Sequence, residues 1–529
     1  MVTLWNFGNY MHSNNTVKEV VIVGGGTSGW ITAAYLAKTL NCKAKNAIKV
    51  TLVESEDIGT IGVGEGTFPT IKTTLQFLGI SESEFIKEAD ATFKQAIKFD
   101  HWQYDPKTYQ ERNDYFHLFD VPKGAPYFDI SPFWLAHGQQ DFDESVSAQT
   151  KLCRNNQAPK KITTREFDGL NYAYHLDAVK FARFLRKYSI EKLGVKHQVA
   201  TIDKVNLDDD AFITSVETTD GHTIRGDFFV DCSGFRALLI GETYNVDFES
   251  TQKYLFVDNA IAIQVPYPKE DSPIATHTIS TAHEAGWTWD IGLSGRRGVG
   301  YVYSSAHTSH ERAEQVLREY IGEDAEGLQA RRIPMKTGYR TKQWHKNCVA
   351  IGLSAGFIEP LESTAIAMIE LAAKLFSEEF PYSKQAFSIL EKQFNDVFIY
   401  RWQAIVDFVK LHYLLSKRTD SQFWIDNTNP ASAPQSLLDK LAKWQLSPPT
   451  KNDFPSIYDI FGLESHQYVL YGMGFKPDIS LKQAAMAQQE GMASNYLQQL
   501  AKQEANLSAQ LPKQRQLIEQ IKQHGLSKL

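Results

Sequence analysis

Val20 to Val23 form an apolar, β-branched run that stops at a glycine cluster and gives way to a helix-like apolar pattern through Leu36. A buried strand followed by a helix is the element pair this predicts. A second apolar run, Val50 to Val53, predicts the next strand and ends at Glu54. Ser81 and Glu84 have capping-box spacing and predict the start of a short helix. Thr92 to Trp102 reads as an amphipathic stretch with Lys94 and Lys98 one turn apart, and Leu176 to Leu185 repeats the helical spacing. Strands are expected around 198–205 and 212–218, then at Phe228–Asp231, through much of 255–305, and at Cys348–Leu353. From Ile366 onward the pattern is mostly helical, and 481–529 reads as a Gln/Lys/Ala-rich helical pair forming an outer cover. The sum is an α/β chain. Residues 17–365 are expected to form a nucleotide-binding module with inserted segments at about 80–170 and 250–305, and 366–529 a mostly helical module.

Composition adds exclusions. With 529 residues, 43% hydrophobic, 22% charged and a formal net charge of −7, the chain has ample material for a core and no basic surface for nucleic acid. Cys42, Cys153, Cys232 and Cys348 stand far apart without metal-ligand spacing, which fits thiols in a reducing cytoplasm and no metal site. The start lacks a signal-peptide pattern, and no apolar run nears the ~20 residues of a membrane helix. A cytoplasmic setting without membrane attachment is expected.

The glycine cluster changes the picture most. Gly24, Gly26 and Gly29 carry the G-x-G-x-x-G spacing between strand and helix. In that context the glycines serve a tight turn, close approach to a pyrophosphate, and helix–strand packing, with the helix N-terminus facing the phosphates. Glu54 at the end of the next strand suits an adenosine ribose. Gly62 to Pro69 forms a second glycine-rich strap expected to lie on the cofactor. Asp231-Cys232-Ser233-Gly234 resembles the late nucleotide return of FAD-dependent hydroxylases, which points to FAD rather than NAD.

Three further features carry candidate chemistry. Trp287 and Trp289 are two apart, so on a strand both indoles line one surface; core packing alone accounts for such a pair. Glu359 and Glu362 flank Pro360 in a loop leading to a helix start, a setting that suits an anion. Glu359 reads as helix N-terminal charge complementarity, whereas Glu362 is a candidate functional carboxylate. By local sequence alone Lys94 and Lys98 have equal claims.

The glycine box, the Gly62–Pro69 strap, Phe93-Lys94, Trp287-Thr288-Trp289-Asp290-Ile291 and Glu359-Pro360-Leu361-Glu362-Ser363-Thr364 together resemble the flavin-dependent halogenases, the tryptophan-halogenase family in particular, from about Val20 to about Asp478. The resemblance implies that FAD, reduced by a separate flavin reductase, reacts with O2 and chloride or bromide to give hypohalous acid, which travels to a lysine beside a small aromatic substrate. It implies a FAD-binding Rossmann-like module of the glutathione-reductase/hydroxylase type. The family lysine falls on Lys94, acting either by hydrogen bonding the oxidant or as an N-haloamine, and the family glutamate falls on Glu362. FAD contacts are implied for Gly24, Gly25, Gly26, Thr27, Ser28, Gly29, Glu54, Ser55, Ile58, Val63, Glu65, Gly66, Val199, Leu353 and Ile366. The halide site falls on the backbone of Thr364 and Ala365, where the family commonly has glycine at the second position. His117 and Phe119 match an aromatic shelf for the substrate, and Trp289 and Ser363 are carried with them. A homodimer is admitted. Where tryptophan halogenases carry paired tyrosines, His466-Gln467 stands here, and the expected substrate is an indole or another electron-rich arene rather than free tryptophan. The alternatives are an aromatic hydroxylase and a non-catalytic flavoprotein.

Overall fold

The computed structural model describes residues 16–56, 64–138 and 140–527. Ile58, Val63 and the first part of the glycine strap lie outside the described residues.

Strand β1 (Glu19–Val23) is buried from Val20 onward, as a strand covered on both faces should be. Helix α1 (Thr27–Thr39) follows the glycines, and β2 (Lys49–Glu54) lies parallel to β1. The Phe228–Asp231 strand pairs parallel with the other side of β1. Cys348–Ala350 and Trp344–His345 extend the sheet beyond it, and Lys196–Val199 extends it beyond β2. The late return is therefore beside the first glycine: a Cβ on Gly24, which has φ +109°, would lie 2.2 Å from the Cys232 carbonyl oxygen.

A small antiparallel sheet joins β3 (Gly64–Gly66) and β4 (Thr92–Lys94) through their shared partner at Ala173–Asp177. The larger sheet has seven strands. It includes β5 (Ala96–Asp100), β6 (Asp114–Leu118) and the strands His277–His283, Gly286–Gly292, Arg296–Tyr303, Asn259–Pro266 and Arg331–Pro334. Alternation gives this sheet two characters. Phe99, His117, Trp287 and Trp289 point to one side, whereas Lys98, Asp100, Asp114 and Asp290 point to the other.

Two expected helices differ. Thr92–Trp102 forms β4 and β5 rather than an amphipathic helix, so Lys94 and Lys98 stand on separate strands. Thr92, Phe93, Ile97 and Phe99 are β-branched or aromatic, and neighbouring strands supply the pairing that overrides a helical spacing. Leu176–Asp177 ends a strand, and the helix begins at Ala178 with the Asp177 side chain accepting from Val179 N and Lys180 N.

Behind β4, Glu82 is fully buried. It accepts from Lys160 Nζ at 2.9 Å, Tyr172 OH at 2.7 Å, Tyr174 OH at 2.6 Å and Phe167 N at 2.6 Å. The Phe93 ring packs edge-on to Tyr172 at 5.1 Å. Glu82→Ala strands the buried Lys160 ammonium, and a loss of about 3–5 kcal/mol in urea denaturation is expected.

The C-terminal cover has a second role. The helix Gln514–His524 presents a buried Gln514, whose Oε1 accepts from Phe93 N at 3.1 Å and whose Nε2 donates to Ala275 O at 2.8 Å. It pins the strand that carries Lys94. The helix Thr364–Glu378, within which the expected boundary at 366 falls, packs against α1. Among the described residues, no helix is long and apolar enough to cross a membrane.

Candidate active site

The glycine box can be read position by position. A Cβ on Gly29 would lie 1.9 Å from Gly24 O, and one on Gly25 would lie 1.6 Å from Glu54 Oε2, so chain packing accounts for both. A Cβ on Gly26 would meet nothing within 4 Å. The protein itself gives no reason for glycine there; a pyrophosphate approaching the start of α1 does. Glu54 accepts from His197 Nε2 at 2.8 Å and is level with Val199 on the neighbouring strand. Ser55 Oγ lies 2.8 Å from Thr201 Oγ1. The box, Glu54, Ser55 and Val199 lie together at the carboxyl ends of the parallel strands, and this donor set fits the adenosine and pyrophosphate portions of FAD.

Lys94 ends β4 with its side chain fully buried. Its Nζ donates to Ser363 Oγ at 2.9 Å and to the Thr67 carbonyl at 3.4 Å, and lies 5.1 Å from the Phe119 ring centroid. Burial pushes the ammonium down to about 7, against a smaller opposing pull from Glu362. Lys98 faces the other side of the sheet and pairs with Asp100 at 2.8 Å. The geometry separates two lysines that local sequence left equal.

Gly66 also belongs to this centre. A Cβ there would lie 2.8 Å from Ser363 Oγ and 3.0 Å from Lys94 Nζ. Both are movable side-chain ends, so Gly66→Ala should fold. Displacing the amine should cut kcat, measured as halogenated product at saturating FAD, about tenfold.

Pro360–Glu362 forms one 3-10 turn, and Ser363 follows at φ +55°. The turn sends the two glutamates apart. Glu362 Oε1 lies 2.9 Å from His412 Nε2, and both its oxygens lie within 3.0 Å of His117 Nδ1. Burial would raise this carboxyl, but the two histidines outweigh it and hold it down at about 2. His117 thus grips the carboxylate, in addition to its place on the aromatic side of the sheet.

Glu359 departs from the helix-terminus reading. It is buried, and its Oε1 accepts from Trp287 Nε1 at 3.1 Å and Tyr413 OH at 2.6 Å. Burial pushes its carboxyl up to about 7. Its role is to hold the first indole of the tryptophan pair. Trp289 is buried beside it in the strand, and its ring lies over Gly300, where a Cβ would meet Trp289 at 2.2 Å.

Past Ser363, the first turn of Thr364–Glu378 has no capping side chain. Thr364 and Ala365, with Gly352 and Leu353, line a cavity of about 30 Å³. That is room for one or two small species, and uncapped N–H groups at a helix start suit an anion. Ile366, two residues further along this helix, is 1% exposed. Glu65, on β3 next to Gly66, has its carboxyl pushed up to about 7 by burial and by Asp177. The segment Pro360–Ala365 is one wall with two sides: Ser363 meets the lysine, with Glu362 next to it in the turn, and Thr364 and Ala365 line the small cavity.

Past the lysine, Phe119 packs against Phe68 at 5.8 Å, and Phe68 against Phe461 at 5.5 Å. His466 is packed among Phe408, Trp444 and Phe454, and burial pushes it down to about 3. Gln467 Nε2 donates to Asp129 Oδ1 and Ser131 Oγ, each at 3.1 Å.

Sequence reasoning missed His412, Tyr413 and Gln514. No local motif marks the first two, which lie one after the other in a long helix; only their reach to Glu362 and Glu359 reveals them.

The model of the tryptophan halogenase family matches residues 19–489. The tryptophan 6-halogenase SttH of Streptomyces toxytricini is 37% identical over 511 residues, 91% of this chain and 94% of that protein. The solved tryptophan halogenase of Shewanella frigidimarina superposes with a TM-score of 0.93 at 40% identity, over 97% of this chain and 99% of that one. BrvH, a flavin-dependent halogenase from Brevundimonas, superposes with a TM-score of 0.84 at 33% identity, over 95% of this chain and 99% of that one. Site, fold and relatives agree: the chain belongs to the tryptophan halogenase family and is a flavin-dependent halogenase acting on aromatic substrates.

Proposed function

We propose that this enzyme transfers bromine or chlorine to a carbon of an electron-rich arene of the indole type, other than free tryptophan, through Lys94. The observation that carries the reading is the buried Lys94 amine, 2.9 Å from Ser363, on the turn whose Glu362 is held ionised by two histidines. FAD, reduced by a separate flavin reductase and bound at Gly24–Gly29 and Glu54, would supply hypohalous acid from O2 and halide.

The chain's own residues do the rest. Thr364 and Ala365 hold the halide at the helix start. The neutral Lys94 amine attacks the halogen, so that N–X forms as O–X breaks and water leaves with an amine proton. The arene, held beside Phe119, takes the halogen as N–X breaks. Its ring proton passes to Glu362 and from there to the lysine nitrogen, which restores the amine and the carboxylate. Trp287, fixed by Glu359, and Trp289 form a wall that keeps a bulky arene from the flavin side while passing a small oxidant.

The substrate restriction rests on the 466–467 segment. The ammonium and carboxylate of free tryptophan need polar partners, yet His466 is enclosed by aromatic rings and Gln467 is bonded to Asp129 and Ser131. A panel of indoles, phenols and free tryptophan, run in parallel with chloride and bromide, tests this. Turnover of indoles at least tenfold above free tryptophan is expected, and a preference for free tryptophan would overturn the restriction. The rate should also rise about tenfold per pH unit below about 7 and level above, as Lys94 loses its proton. A flat kcat/KM profile there would count against the amine as nucleophile.

A further inference from the structure

A count of protons at Glu362 goes further. His412 Nδ1 lies 2.9 Å from the carbonyl oxygen of Phe408, one turn earlier in the same helix. A carbonyl oxygen only accepts, so Nδ1 carries a hydrogen. In the neutral ring Nε2 is then a lone pair, yet it lies 2.9 Å from Glu362 Oε1, a second acceptor. One further proton must lie between them. His117 is no substitute, because the N–H at its Nδ1 is directed at both carboxylate oxygens, 3.0 and 2.9 Å away. Lys94 is not bonded to the carboxylate at all: its Nζ donates to Ser363 Oγ and the Thr67 carbonyl. Among the described residues, the ion-pair partners of Glu362 are the two imidazoles.

We propose that His412, protonated on both ring nitrogens, is the resident counter-cation of Glu362, and that it leaves Lys94 free to be a neutral amine beside an ionised carboxylate. The inference rests on the roles of Lys94 and Glu362 given above. In a closed site one carboxylate supports one cation; a second buried charge would go uncompensated. If Lys94 had to neutralise Glu362, it would hold its proton and could not attack a halogen. His412 therefore acts as a positioning residue, through Glu362.

The surroundings suit a cation. Phe99, Trp102 and Phe408 enclose the ring at centroid distances of 4.8, 6.1 and 5.3 Å. Of the titratable groups packed around it, His117 and Tyr115 come from β6 and His466 from the helix Leu463–Gly472. Lys410 and Tyr413 share its helix but are engaged by Asn427 and Glu359. Lys98 and Asp100 of β5 face the far side of the sheet. Burial keeps His466 uncharged, so it does not compete.

Two measurements test this. Neutron diffraction from perdeuterated crystals of the full-length wild type with oxidised FAD should show deuterium on both Nδ1 and Nε2 of His412 and none on Glu362. Deuterium on Glu362 with a bare Nε2, or any neutral ring, would overturn the proposal. His412→Gln keeps a donor to Glu362 but not the charge, so Lys94 should inherit the role of counter-ion. The rising limb of its kcat/KM profile should move up by about one pH unit, a loss of about fivefold at pH 7 and about tenfold well below it, regained at higher pH, with KM unchanged. A loss equal at all pH values would overturn the proposal. Should that variant not fold, the diffraction result decides alone. Absence of halogenated product from wild type would instead remove the reading of Lys94 and leave the diffraction result standing.

Discussion

Lys94→Ala should abolish halogenation, with a fall in kcat of at least about 10³-fold, while oxidised FAD binds with unchanged affinity. The two halves of this expectation come from separate parts of the molecule. The glycine box, Glu54 and Val199 lie at the carboxyl ends of the parallel strands, whereas Lys94 ends β4, paired with Ala173–Asp177 in the small sheet. The alanine also leaves a cavity where three buried methylenes and the amine stood, costing about 2–3 kcal/mol. Lys94→Met fills that space without an amine and should be as inactive as the alanine variant with a smaller loss of stability. Product formation measured by mass spectrometry, FAD titration and thermal melting of both variants separate chemistry from folding. Activity retained in the methionine variant would remove the amine from the mechanism.

Glu362→Gln is the second large effect. The amide has similar shape but cannot take a ring proton, and it removes the anion that His117 and His412 grip. A fall in kcat of about 10²–10⁴-fold is expected. The loss should have a signature: with substrate deuterated at the halogenated carbon, wild type should show little isotope effect and the variant a clear one, because loss of the ring proton becomes slow. The histidines lose their shared partner, so thermal stability should fall as well. A variant with normal kcat and no isotope effect would show that another group removes the proton.

Much of this was legible along the chain, and the reason is local. A βα unit with a glycine turn writes itself into consecutive residues, so β1, α1, β2 and Glu54 could be named from their spacing. The turn Glu359–Thr364 was legible for the same reason. The Lys94 segment was not, because its strands exist through pairing with Ala173–Asp177 and His277–His283, far off in sequence. Helical spacing in Thr92–Trp102 was outweighed by those partners. Local sequence likewise could not separate Lys94 from Lys98; the two faces of separate strands do. Glu359 looked like an ordinary charge at a helix start, and only Trp287 and Tyr413, 72 and 54 residues away, show that it is buried and bonded. His412 and Gln514 are long-range in the same way. Buried polar side chains in long helices carry no local mark of the group they will meet.

The central claim is that oxidised halogen, and not flavin-borne oxygen, reaches the arene through Lys94. It is tested most directly by a single-turnover reaction of the pre-reduced, FAD-loaded enzyme with O2, an indole and either bromide, chloride or no halide, with products resolved by mass. The account predicts halogenated indole in the halide reactions, no ring-oxidised product without halide, and neither product from Lys94→Met. A hydroxylated indole formed without halide would contradict it and make the enzyme an oxygen-transfer catalyst.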